Sequence, residues 1–185
     1  MDFVDLIVAV HVHLEDAGIS HAFGGALALA YVAEPRGTAD IDVNVFLPPD
    51  DLDRVVAALA DLGYRPEQAP EDRLPIAGIR FAHEVEPFPL DVFPSLHERY
   101  REAERRRVVH PFGRGDNRLP FLSAEDLCVF KLSFGRPKDW IDLRAVADAG
   151  PALDVDYIEA QLVALRGPSM YPEVARLRAL LRARA

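Results

Sequence analysis

Between Asp40 and Leu47 the chain alternates, with Ile41, Val43 and Val45 set against Asp40, Asp42 and Asn44. A period of two marks a strand buried on one face. The side chains of Asp40 and Asp42 then leave the same face, with Cα atoms about 7 Å apart. Two carboxylates that close repel one another, and the strand around them is otherwise apolar. A cation between them resolves the conflict. Hard oxygen ligands suit Mg²⁺ or Mn²⁺, with substrate phosphate completing the shell. Two solvated acids on an exposed edge strand would produce the same Asp-x-Asp, so the pair needs support from elsewhere in the chain.

Two features supply it. Gly24 and Gly25 lie between a strand-like stretch from His21 and a run of helix formers over 26–33, which Pro35 ends. Backbone N–H groups bared by a glycine pair, together with a helix N-terminus, are suited to a triphosphate. Further on, Phe88-Pro89-Leu90-Asp91-Val92-Phe93 reads as a strand whose sole acid is Asp91. A lone charge there is costly unless it is solvated or shares the cation site. Three carboxylates on adjacent strands beside a glycine turn meet the needs of two-metal phosphoryl chemistry.

Periodicity organises the rest. Phe3, Ile7, Val10 and Leu14 predict a helix over 2–17, stopped by Gly18. Asp50 or Asp51 can cap a helix reaching Leu62. Strands are expected over 76–85 and 88–93 and near 108–112 and 118–122, with a weak strand and polar loop over 63–75 and a charged helix over 96–107. After Ser123 the texture is helical, broken at Gly135-Arg136-Pro137, Gly150-Pro151 and Gly167-Pro168. The expected class is α+β, a mixed α/β core over 1–122 carrying a helical C-terminal portion over 123–185.

These residues resemble the nucleotidyltransferase superfamily that includes DNA polymerase beta. Its signature is a hydrophobic residue and Gly-Gly or Gly-Ser, a short helix, an acid-hydrophobic-acid strand, and a third acid on a later strand. Gly24, Gly25, Asp40, Asp42 and Asp91 match in order and approximate spacing. The second glycine stands where serine is common, which removes a hydroxyl donor and keeps the backbone donors. Leu122-Ser123-Ala124-Glu125-Asp126-Leu127, Lys131 and the run Arg136-Pro137-Lys138-Asp139-Trp140-Ile141-Asp142 resemble the AbiEii-type toxin branch of stand-alone bacterial nucleotidyltransferases. The resemblance covers roughly 20–145; the segment from Pro151 onward matches no pattern.

The resemblance implies that Asp40, Asp42 and Asp91 hold Mg²⁺ or Mn²⁺, with Asp91 also a candidate base. It makes Lys131 a point charge on the β- and γ-phosphates, where the residue alone reads as a surface lysine. Arg36, Thr38, Arg136 and Lys138 are candidate nucleotide contacts beside Gly24 and Gly25, though Arg36 and Thr38 could equally cap the turn. Asp139 and Asp142, one helical turn apart, could instead pair with Arg136 or Lys138.

Half of the 185 residues are apolar and 28% are charged, which permits a sizeable core. A formal net charge of −9 argues against a generic nucleic-acid coat. Two arginine runs stand against that background: Arg99, Arg101, Arg105, Arg106 and Arg107 around Tyr100, and Arg176, Arg178, Arg182 and Arg184. Each reads as a solvated helix face or as an RNA-backbone patch. His11 and His13 are two apart on one helix, and His21, His83, His97 and His110 are dispersed, so no histidine metal site is expected. One cysteine, Cys128, permits no internal disulfide. An acidic N-terminus and the lack of a long apolar run point to a cytoplasmic protein with no membrane partner.

The expected activity is transfer of a nucleoside monophosphate from a nucleoside triphosphate to an acceptor hydroxyl, releasing pyrophosphate. By resemblance the acceptor is RNA (tRNA) or protein, and the chain is the toxin of a pair with a cognate antitoxin. A small-molecule (antibiotic) acceptor is the second reading, and a catalytically silent nucleotide-binding or interaction module the third.

Overall fold

A computed structural model describes residues 1–68 and 78–183. Among them, seven strands form one sheet: β1 (His21–Phe23), β2 (Ile41–Val45), β3 (Tyr64–Pro66), β4 (Ile79–His83), β5 (Leu90–Pro94), β6 (Val108–Pro111) and β7 (Arg118–Phe121). The order across the sheet is β3-β4-β5-β2-β1-β7-β6. β2 runs parallel to β5, and β1 parallel to β7; the remaining neighbours are antiparallel. The helices are α1 (Phe3–Asp16), α2 (Gly25–Leu29), α3 (Leu52–Ala60), α4 (Tyr100–Arg106), α5 (Ala124–Phe134), α6 (Pro137–Ala149), α7 (Val155–Arg166) and α8 (Tyr171–Arg182). The α+β class is as expected.

Alternation in β2 does what its sequence requires. Ile41, Val43 and Val45 are fully buried, and in β5 Leu90 and Val92 join them. One continuous apolar cluster takes in Leu6 and Val10 of α1, these strands, Leu127 and Leu132 of α5, and Leu143, Leu162 and Leu177 further on. Residues on both sides of Leu122 therefore share a core.

Several boundaries move. α2 is a short helix ending at Leu29, because Val32 N–H bonds to Leu29 O as the chain turns toward Pro35. Asp51 precedes α3 without a side-chain cap; a 3₁₀ turn over Pro49–Asp51 leads into the helix instead. The helix expected from 96 begins at Tyr100, since the His97 ring accepts the backbone N–H of Arg99 and favours a turn there. The expected strand over 76–85 is seen from Ile79 to His83; its first two positions and most of the expected polar loop lie outside the described residues. Ser123 caps α5 as the sequence suggests, accepting from Asp126 N and donating to Asp126 Oδ2 at 2.6 Å.

Candidate active site

Strand register builds the site. Asp42 lies directly opposite Asp91, and Asp91 directly opposite Arg80. Cross-strand neighbours sit about 5 Å apart at Cβ, so Asp42, Asp91 and Arg80 make a row across three strands. Asp40, just before β2, adds a third carboxylate on the same face. Thr38 Oγ1 fixes its backbone, accepting Asp40 N–H and donating to Asp40 O.

Arg80 is the residue that sequence reasoning missed. Its Nη1 donates to both oxygens of Asp91 at 3.1 and 3.0 Å, and its Nη2 donates to Asp40 Oδ1 at 3.1 Å. A guanidinium thus supplies positive charge between two of the three acids. Among the described residues Asp42 receives no such partner. Burial, followed by the negative charges of Asp91 and Asp40, pushes its carboxyl up to about 6, against the pull of Lys131 and Lys138. Burial also raises Asp91, although Arg80 opposes the shift.

The glycine pair serves these acids at close range. Gly25 has φ +52°, and a Cβ there would fall 1.8 Å from Asp42 Oδ2. Only glycine lets the start of α2 approach this carboxylate. Gly24 N–H is committed to Asp42 O at 2.9 Å and is not available to a phosphate. The donors left over are those of the first turn of α2.

A cleft of about 490 Å³ opens over the row, with Arg36, Arg136, Lys138 and Asp142 on its far wall. Most cations of that wall are already held. Arg36 makes a two-pronged contact with Asp142 at 2.8 and 2.9 Å. Lys131 is buried and donates to Asp142 Oδ2 at 2.5 Å; with Gly25 and Asp42 it lines a small cavity that shares Asp42 and Arg136 with the cleft. Arg136 pairs with Asp139 at the start of α6. Asp139 thus takes one of its two expected partners. Asp142 takes neither; it is paired across the fold with Arg36 and Lys131. Burial alone would raise Asp142, but hydrogen bonds from Arg36 and Lys131 hold it below the usual carboxylate range. Among the described residues Lys138 lines the cleft without an ion-pair partner.

The arginine runs are largely spent within the protein. Arg105 pairs with Glu102, Arg106 with Glu125, and Arg107 bonds Ser20 Oγ and His21 O. Arg176 stacks on Trp140 at 3.7 Å, and Arg178 pairs with Asp156. Arg184 lies outside the described residues. Two of the six histidines, by contrast, do converge: His11 Nδ1 and His21 Nε2 are 3.0 Å apart. Ten residues separate them in the chain, and the turn between α1 and β1 closes that gap. None of the described helices is long and apolar enough to cross a membrane.

No protein-family model and no curated protein matches this chain. Its fold does have solved counterparts. The antibiotic-resistance factor ANT(2'')-Ia superposes with a TM-score of 0.63 at 17% identity, covering 95% of this chain and 96% of that one. An antigenic nucleotidyltransferase-like protein from Paracoccidioides brasiliensis gives 0.54 at 16% identity, covering 97% and 92%. The lincosamide antibiotic adenylyltransferase LnuA, in its lincomycin-bound form, gives 0.50 at 15% identity, covering 77% and 94%. The chain has the nucleotidyltransferase fold that its motifs resemble.

Proposed function

We propose that this chain transfers a nucleotidyl group from a nucleoside triphosphate to an acceptor hydroxyl, using a divalent cation held by Asp40, Asp42 and Asp91. The observation that carries the proposal is the row Asp42–Asp91–Arg80, in which three strands bring carboxylates and a counter-charge together under an open cleft. The donor set fits a hard cation. All its atoms are carboxylate oxygens, Asp42 has no ion-pair partner among the described residues, and Arg80 already occupies the position of a positive charge between Asp40 and Asp91. A bound Mg²⁺ or Mn²⁺ would supply charge neutralisation for the triphosphate and a more acidic acceptor hydroxyl.

The chain's own groups supply the rest. The acceptor oxygen forms its bond to the α-phosphorus, the bond to the pyrophosphate oxygen breaks, and the hydroxyl proton passes to a carboxylate oxygen of Asp91. Lys138, uncommitted in the cleft, is the side chain best suited to meet the triphosphate. Arg80 is close enough to Asp91 to follow the charge as it moves. Asp142 holds Arg36 and Lys131 in place by ion pairs and is itself committed to them, not to the substrate.

The acceptor we favour is a small hydroxylated molecule, ahead of the RNA or protein of a toxin. Three of five arginines in the first run are held by the protein itself, on a chain of net charge −9. The neighbours in fold point the same way, one being bound to lincomycin and another carrying adenylyl-2''-tobramycin. The test is incubation with each α-labelled triphosphate and Mg²⁺, in parallel with tobramycin, lincomycin or total bacterial RNA. Label on a small molecule, lost in Asp42→Ala, is the expected result. Label on RNA would restore the toxin reading, and a search for an antitoxin would follow. Absence of pyrophosphate release with every acceptor, alongside retained nucleotide binding, would leave a silent binding module.

A further inference from the structure

At a place separate from the carboxylate row, α1 and β1 bring His11, Glu15 and His21 together, and one ligand atom from each lies within 4.8 Å of the other two. His11 and Glu15 are four apart on α1 and share a face. His21 is the first residue of β1 and is fully buried.

The hydrogen bonds settle which nitrogen does what. His21 Nδ1 lies 2.9 Å from Ile19 O. A carbonyl only accepts, so Nδ1 carries the proton and Nε2 presents a lone pair. That lone pair faces His11 Nδ1 at 3.0 Å, which makes His11 Nδ1 the donor in the protein as it stands. A ligating histidine held by a backbone carbonyl through its other nitrogen is how metal sites fix the tautomer and aim the ring. Phe23 packs edge-on against the His21 ring and helps exclude water.

We infer that His11, Glu15 and His21 form a second cation site, for a borderline divalent ion such as Zn²⁺, that clips α1 to β1. Two imidazole nitrogens on a tetrahedral Zn²⁺ stand about 3.3 Å apart, so the pair must open by only about 0.3 Å. His11 takes the other tautomer, its proton moving from Nδ1 to Nε2, and both lone pairs then meet the ion; the exposed Glu15 carboxylate, whose Oε1 lies 3.8 Å from His21 Nδ1, turns toward Nε2 to join them. Two nitrogens and one oxygen select zinc-like ions, where the three carboxylates select magnesium-like ones. The Arg107 charge also bears on His21, and Arg107 Nη1 donates to Ser20 Oγ and the His21 carbonyl. Because β1 leads directly into Gly24 and Gly25, the clip would anchor the strand that feeds the carboxylate row.

Cobalt titration of the metal-stripped full chain tests this, with excess Mg²⁺ present to occupy the carboxylates. The expected result is one equivalent of Co²⁺ with the intense visible bands of a four-coordinate centre, displaced by Zn²⁺, and a raised unfolding temperature. The signal should survive in Asp42→Asn and in His13→Ala, whose ring Nδ1 is bound to Ala9 O. It should weaken at least tenfold in Glu15→Gln, an exposed change that leaves the fold intact, and vanish in His11→Ala. The inference is overturned if the spectrum remains that of hydrated Co²⁺, or if binding is lost in Asp42→Asn and kept in His11→Ala.

Discussion

The two walls of the cleft hold buried aspartates in opposite states. On the sheet wall Asp42 sits between Asp40 and Asp91, and its carboxyl is raised to about 6. On the helix wall Asp142 is only 2% exposed, yet Arg36 and Lys131 hold it below the usual range. Burial acts on both in the same direction, so their neighbours decide the outcome. One wall is electrostatically complete. On the other, no ion pair among the described residues balances Asp42, and that deficit is what a substrate-bound cation would fill.

The sharpest way to break the comparison is to remove each aspartate in turn. Asp42→Ala should lower transfer roughly a thousandfold or more, the loss of about 4 kcal/mol of transition-state stabilisation, while leaving circular dichroism unchanged. Pyrophosphate release measures it, and ordinary turnover would sink the assignment. Asp142→Ala should act mainly on the fold. It leaves Lys131 buried without a partner and should cost about 3–5 kcal/mol in urea unfolding. A cost below about 1 kcal/mol would mean that the pair behaves like a surface one.

A conservative change should reverse the sign. In metal-free protein, ionised Asp42 is a burden near neutral pH, so Asp42→Asn should stabilise the fold by up to about 3 kcal/mol. pH adds a control. The folded state holds the Asp42 proton more tightly than the unfolded chain, so this group adds stability as pH falls from about 6 toward its ordinary 3.8. His21 is the opposite case: its folded value of about 4 lies below its ordinary 6.5, and stability is lost over that window as pH falls. The two offset in the wild type. Asp42→Asn should therefore show a steeper loss between pH 6.5 and 4, read from urea midpoints. Parallel curves would refute the buried-carboxylate account.

The smallest expected effect is at Lys138. Lys138→Ala should raise KM for the triphosphate on the order of tenfold, about 1.4 kcal/mol, with kcat less affected. Initial rates across triphosphate concentration decide it, and an unchanged KM would shift phosphate contact to the arginines.

Much of the carboxylate row was legible. Alternation through Ile41, Asp42 and Val43 set the faces of β2, and a lone acid between Leu90 and Val92 did the same for β5. Arg80 was not legible, because it counts only through its position opposite Asp91, and that register belongs to the pairing of β4 with β5. The glycine pair has a neighbour that the sequence does not name: Gly24 N–H goes to Asp42 O, and Gly25 is confined by Asp42 Oδ2. His11 and His21 looked dispersed for the same reason that Asp142 looked local. Helical spacing reports neighbours within an element and says nothing of those across the fold.

The sequence by itself determined the faces of the strands, the helical character after Ser123 and the three acids, since period and residue type act over a few positions. Tertiary structure alone decided which charges are spent. Arg36 lies 106 residues from the Asp142 that holds it, and Arg80 lies 40 from Asp40. Coulombic and hydrogen-bond partners are chosen by distance in space, and only the folded sheet with its helices brings those pairs together.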